Sequence, residues 1–239
     1  MKLTSLALLP LALTLACSGA TTAVGASDAA PPPEGDSGAT TTPPVGTDAG
    51  EAAAPDAATT PTCASYAKGP YGTGVGQVLP PNDSWQGYAA NDASVTTLQI
   101  SDLYDCDGSK GINAIVIDTS AGWCAACETQ AHDEAELMAE YDQLGVKAIT
   151  LIIMDAAEQP ATTATALDWR TTYNLDDVGV YADPNFLLEP QNQQTIGLPL
   201  TMIVDPRTMK VVKATEGYGQ EFPPVIDPTL EGLAKQNHP

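Results

Sequence analysis

Two of the five cysteines, Cys124 and Cys127, lie three residues apart in the run Asp118-Thr119-Ser120-Ala121-Gly122-Trp123-Cys124-Ala125-Ala126-Cys127. An apolar stretch, Ile112 to Ile117, stands before them, and an amphipathic stretch from Glu128 to Leu144 follows. This order reads as a buried strand that ends where a helix begins. The first turn of a helix has unpaired N–H groups and the positive end of the macrodipole, so a thiol there ionises more easily. The thiolate is the nucleophile. Cys127 falls on the same helix face one turn deeper, which places the two Cα atoms roughly 5–6 Å apart, within the window for a disulfide. Cys124 can then attack a foreign disulfide and Cys127 can resolve the mixed disulfide. Cys-x-x-Cys between a strand and a helix is a redox signature.

The pattern Asp118-x-x-x-x-Trp123-Cys124-x-x-Cys127 resembles the active site of the thioredoxin superfamily. The resemblance implies a buried proton acceptor at Asp118 and a shielding role for Trp123. It also implies a cis-proline packed against the disulfide. Pro199 of Gly197-Leu198-Pro199, directly before Leu200 to Val204, matches that place. The backbone of Leu198 would then pair with a substrate strand. The layout from about Tyr66 onward resembles the TlpA/ResA-like branch of exported thiol–disulfide oxidoreductases. In that branch an N-terminal hairpin precedes the catalytic strand, and Cys63 to Gly111 fits its position. Two positions depart from the pattern. Ala125-Ala126 stand where thioredoxin has Gly-Pro, which leaves redox potential and direction open. Asp118 stands where the TlpA-like branch usually has Asn.

The elements that must position these residues form an α/β pattern, with a central mixed sheet flanked by helices as the expected fold. On the helix after the motif, Ala131, Ala135, Met138 and Tyr141 mark a core face. Glu128, Asp133, Glu134, Glu136, Glu140 and Asp142 mark a wet one. Gly145 closes the helix. Val146 to Met154 reads as a buried parallel strand, and Pro160 opens a helix through Tyr173. A strand at Val178–Tyr181 and a helical turn at Pro184–Pro190 follow. The strand after Pro199 returns antiparallel over Met209–Thr215, and a last helix runs from Pro228 to Asn237. Upstream, Tyr66, Tyr71, Val75, Val78, Leu79, Trp85 and Tyr88 are the expected anchors.

Composition bounds the rest. Thirty Asp and Glu against nine Lys and Arg give a net charge of −21. Such a chain is repelled by nucleic acid and by anionic lipid. Residues 1–17 read as a signal peptide, with Lys2 and an apolar core from Leu6 to Leu15 that is too short to span a bilayer. Leu15-Ala16-Cys17 resembles a bacterial lipobox, which implies lipidation of Cys17 and a membrane anchor in the cell envelope. Cleavage after Ala20, releasing a soluble secreted protein, is the alternative. Residues 18–62 are Ala, Pro, Thr, Gly and acid, with no Lys or Arg. They read as a disordered spacer. The folded domain is expected over residues 63–239.

With Cys17 and the redox pair set aside, Cys63 and Cys106 remain. An oxidising compartment allows a bridge between them; two unpaired thiols are the alternative. No bound cofactor or metal is expected. The chain has one Cys-x-x-Cys, and its two histidines are His132 and His238, too few ligands for a zinc site. Glu128 follows Cys127 where haem attachment needs His. Asp105-Cys106-Asp107-Gly108-Ser109 reads as a solvated turn, since Val116 occupies the closing position of a calcium loop. The expected partners are protein thiols and disulfides, with an upstream electron donor or acceptor. The rival functions are a peroxiredoxin-like thiol peroxidase and a redox-silent binding module. Against the first, Ala121 occupies the position of the peroxiredoxin Thr.

Overall fold

The computed structural model describes residues 63, 65–190, 195–219 and 226–238. The signal-like segment with Cys17 and the spacer at 18–62 lie outside these. The described residues form seven strands and three α-helices: β1 (Ser84–Tyr88), β2 (Val95–Gln99), β3 (Ala114–Ser120), α1 (Ala125–Leu144), β4 (Val146–Ile152), α2 (Thr163–Tyr173), β5 (Gly179–Ala182), β6 (Leu200–Asp205), β7 (Lys210–Glu216) and α3 (Pro228–Asn237). They form one mixed sheet in the order β2-β1-β5-β4-β3-β6-β7. β3, β4 and β5 are parallel neighbours, while β6 and β7 return antiparallel on the far side of β3. The β4-β3-β6-β7 half with its helices is a thioredoxin-like arrangement. The antiparallel hairpin β1–β2 is added beyond β5.

All three helices gather on one face, which refines the expectation of a sheet flanked by helices. The chain steps from β3 to β4 to β5 in one direction across the sheet. Right-handed crossovers then place α1 and α2 on the same side, and α3 packs beside them against β3 and β6. Val116, Ala148, Ile152, Val180 and Ile203 face this helical layer. On the opposite face, Ile115, Ile117, Ile149, Leu151, Met202 and Val204 pack under Val78, Leu79 and the 3₁₀ turn Ile100–Leu103.

β3 is central, with every residue buried. It runs three residues past its apolar run because Asp118, Thr119 and Ser120 remain paired with β4, and Asp118 and Thr119 also with β6. α1 ends at Gly145 in the left-handed conformation (φ 67°). A Cβ there would also lie 2.6 Å from the Asn113 side chain. The turn requires glycine twice over.

Several expectations change. α2 starts at Thr163, because Pro160 bridges to Met154 and Thr162 and Thr165 then form a reciprocal cap. Pro184 to Pro190 is a set of turns. Tyr71 and Val75 are exposed, on a loop that meets β7 only from Gly76 onward. Asp105 is buried. Its carboxylate pairs with Arg207 at 3.0 Å and accepts the N–H groups of Lys110 and Ile112. Arg207 also donates to the carbonyls of Asp105, Ile112 and Asn237, and so ties this loop to the end of α3. The Cys63–Cys106 bridge, by contrast, is present as expected, with Cα atoms 5.6 Å apart.

Candidate active site

Cys124 sits at the N-cap of α1 with extended backbone (φ −95°, ψ 101°), and its Sγ accepts the Cys127 N–H at 3.2 Å. A sulfur thus occupies the place where a Ser or Asp oxygen usually caps a helix. The two sulfurs are bonded, with Cα atoms 5.2 Å apart. Cys127 is fully buried, whereas Cys124 keeps 7% of its surface in solvent. That asymmetry fits an attacking sulfur at the mouth and a resolving sulfur behind it. Trp123, next to the mouth, is half exposed at 49%.

The loop carrying the motif is held closely. The Gly122 N–H donates to the Met154 carbonyl at 2.9 Å. A Cβ on Gly122 would meet the backbone of Ala156 at 2.6 Å and of Asp155 at 2.8 Å. Only glycine lets the β4–α2 loop lie against the motif.

β6 runs antiparallel to β3, with Leu200 opposite Thr119. Pro199 therefore flanks the end of β3 from which the motif departs. The Leu198–Pro199 peptide is cis, Pro199 is buried, and its carbonyl accepts the Gly217 N–H at 2.8 Å. Leu198 is half-buried and packs against both apolar clusters.

Asp118 faces the helical layer. Its register partners are Thr150 on β4 and Thr201 on β6. The Thr201 hydroxyl donates to Asp118 Oδ1 at 2.5 Å, and Gln130 Nε2 donates to the same oxygen at 2.6 Å. Gln130 lies three residues after Cys127 on the same face of α1. Burial raises the Asp118 carboxyl to about 6, with the two hydrogen bonds opposing the shift.

One turn further along that face lies a second buried carboxyl, Glu134. It is 5% exposed and accepts the Thr150 hydroxyl at 3.1 Å. This overturns its assignment to the wet face. Burial, and then the charge of Asp118, push Glu134 well above the usual carboxylate range. The two acids line one cavity from neighbouring elements and their titrations are linked, the charge of Asp118 favouring the protonated form of Glu134. Gln130, Glu134, Thr150 and Thr201 are the site residues that sequence reasoning missed. The available signal was spacing: Gln130 and Glu134 continue the helix face of Cys127 at +3 and +7.

Among the described residues no cluster of three or more His, Cys, Asp or Glu is placed to hold a metal ion, and no helix is long and apolar enough to cross a membrane. His132 is exposed and meets Tyr173 edge-on at 5.0 Å.

No family model matches the chain, and no curated protein matches it. Solved structures do resemble it. A thioredoxin-family thiol:disulfide interchange protein from Chlorobium tepidum is 13% identical over 66% of this chain and 96% of its own, with a TM-score of 0.42. A secreted Mycobacterium tuberculosis disulfide oxidoreductase is 12% identical over 64% and 95%, with a TM-score of 0.39. A reduced Plasmodium vivax 2-Cys peroxiredoxin is 11% identical over 69% and 82%, with a TM-score of 0.49. At these scores the roles of the residues rest on this chain's own geometry.

Proposed function

We propose that this protein is an extracytoplasmic thiol–disulfide oxidoreductase that exchanges disulfides with protein substrates through Cys124 and Cys127. One observation carries the reading: a bonded Cys-x-x-Cys pair at the N-terminus of α1, with Cys124 the less buried residue and Cys127 fully buried, and an ionisable acid on the strand beneath. Cys124, as thiolate, attacks the substrate disulfide. Cys127 gives its proton to Asp118 and then attacks Cys124, and the substrate leaves as a thiol. Trp123 borders the mouth, and Pro199 with the Leu198 backbone forms the neighbouring wall where an extended substrate segment would lie. The reaction uses the disulfide as its own cofactor. The electrons come from, or go to, a separate thiol–disulfide partner. A lipid anchor at Cys17 would hold the domain at the cell envelope, on a spacer long enough to let it reach membrane-bound substrates.

The test is insulin-disulfide reduction with Cys124→Ser and Cys127→Ser variants. Cys124→Ser is expected to abolish turnover, and Cys127→Ser to accumulate a mixed disulfide visible on a non-reducing gel. Turnover by Cys124→Ser at the wild-type rate would refute the assignment. Peroxide consumption by the same proteins separates this reading from a thiol peroxidase.

A further inference from the structure

Between the sheet, α1 and α3, with Asp118 on its wall, lies a cavity of about 270 Å³. Asp118, Gln130, Glu134 and Thr201 line its inner end, and the exposed residues Thr215, Gly217 and Pro228 lie at its outer end. Two buried side-chain oxygens on its wall, Gln130 Oε1 and Glu134 Oε1, have no hydrogen-bond partner among the described residues. Unsatisfied buried acceptors are rare and costly. The cavity is lined mostly by apolar groups, but its polar inner end has room for water, each molecule taking about 30 Å³ in the liquid.

We infer that Glu134 is a positioning residue for thiol–disulfide exchange: with Asp118 it forms a carboxyl pair that carries the Cys127 proton out through this cavity, on the side of α1 away from the bound substrate.

The inference rests on the exchange reaction proposed above. A substrate seated over Cys124 closes the front of the site, yet the Cys127 proton must still leave. In the reductive direction the Cys124 thiolate bonds to one substrate sulfur, and the other leaves and takes a proton from solvent. The Cys127 S–H proton goes to the Asp118 carboxylate. Its sulfur then bonds to Cys124 Sγ, the mixed disulfide breaks, and the second substrate sulfur leaves and is protonated. The enzyme dithiol has lost two electrons and the substrate disulfide has gained them. Asp118 now holds a proton that it must release before the next cycle. Glu134, whose proton burial has kept in place, passes it to water in the cavity once Asp118 is neutral, and is refilled from Asp118.

The other titratable groups around the pair fit this direction of flow. Tyr141, on α1, is pushed upward by burial and by both carboxyls, so it stays neutral. Tyr218, after β7, is also pushed upward, and its hydroxyl donates to Asp133 of α1 at 2.6 Å. Asp227, at the start of α3, is paired with Lys213 of β7 and is held below the usual range despite its burial. The inner end therefore holds carboxyls that take up protons more readily than usual and the outer end one that takes them up less readily.

The experiment combines carboxyl titration by ¹³C NMR with disulfide-reduction kinetics on the full chain, using wild type, Asp118→Asn, Glu134→Gln and Glu134→Asp. In Asp118→Asn the Glu134 titration is expected to move to lower pH, because the charge that held its proton is gone. Glu134→Gln is expected to slow the resolving step by roughly tenfold at neutral pH, a fraction of what a full general base contributes. Added imidazole should restore part of the rate, and Glu134→Asp most of it. A merely structural role would not respond to imidazole. An unmoved Glu134 titration in Asp118→Asn, or a Glu134→Gln variant with the wild-type rate and pH profile, overturns the inference. The titration needs neither turnover nor the Gln variant. A wild type that reduces no disulfide would defeat the functional reading, while the titration still decides the carboxyl pair.

Discussion

Replacing Asp118 with Asn should change how stability depends on pH, and the structure fixes the direction. Asp118 ordinarily titrates at 3.8 and is raised to about 6 by burial in the folded domain. Between those values the native state binds a proton that the unfolded chain has released. Stability therefore falls as pH rises through that window and flattens above about 6. This is opposite in sign to a salt-bridged carboxylate. The gap is worth about 3 kcal/mol in the wild type. Asn has no proton to lose, so Asp118→Asn should become more stable relative to wild type as pH rises from 4 to 7, by up to about 3 kcal/mol. Asn keeps a carbonyl oxygen to accept from the Thr201 hydroxyl and the Gln130 amide, so both bonds persist as neutral ones and any constant loss only offsets the difference curve. The assay is urea unfolding of the oxidised domain at closely spaced pH values, read as the difference between the two proteins. That subtraction removes the acids that titrate alike in both proteins; Glu134, which the Asp118 charge raises only in the wild type, adds to the difference in the same direction. A difference that stays constant from pH 4 to 7, or declines, would show that Asp118 does not carry a raised pKa, and would remove the proton acceptor from the mechanism.

Two further perturbations follow from geometry alone. Gly122→Ala forces a methyl against the Asp155–Ala156 backbone. It should cost about 1–3 kcal/mol in a denaturant titration and slow disulfide reduction, since the motif itself must shift. Arg207→Ala strips the buried Asp105 of its ion-pair partner and frees the carbonyls of Ile112 and Asn237. Loss of about 3–5 kcal/mol is expected, with the motif chemistry intact in whatever fraction stays folded; a change under 1 kcal/mol would mean the cluster is not a structural clasp.

The parts of this fold that could be read from residues were those governed by local rules. β3 and α1 followed from an apolar run, a Cys-x-x-Cys and a terminal glycine. α3 was bounded correctly by Pro228 and by the end of its amphipathic pattern. The misreadings at Glu134 and Asp105 concern polar residues whose partners come from elsewhere in the chain. Glu134 looks wet on a helical wheel, and only Thr150 on the next strand and the cavity beside Asp118 give it a buried place. Asp105 looks like a turn acid until Arg207, 102 residues later, closes over it. Tyr71 and Val75 are apolar but lie where the chain has not yet reached the sheet. Pro160 is a favourable helix opener in isolation and lost to a bridge with Met154.

The sulfur of Cys124 also terminates the helix backbone, by accepting the Cys127 amide. Serine is among the best residues at such a terminus. An oxygen substituted there keeps the amide satisfied, so the exchange-dead variant loses its reactive atom and retains its architecture. It is therefore a clean bait: a folded, inert decoy whose binding of client proteins can be measured without any chemistry following.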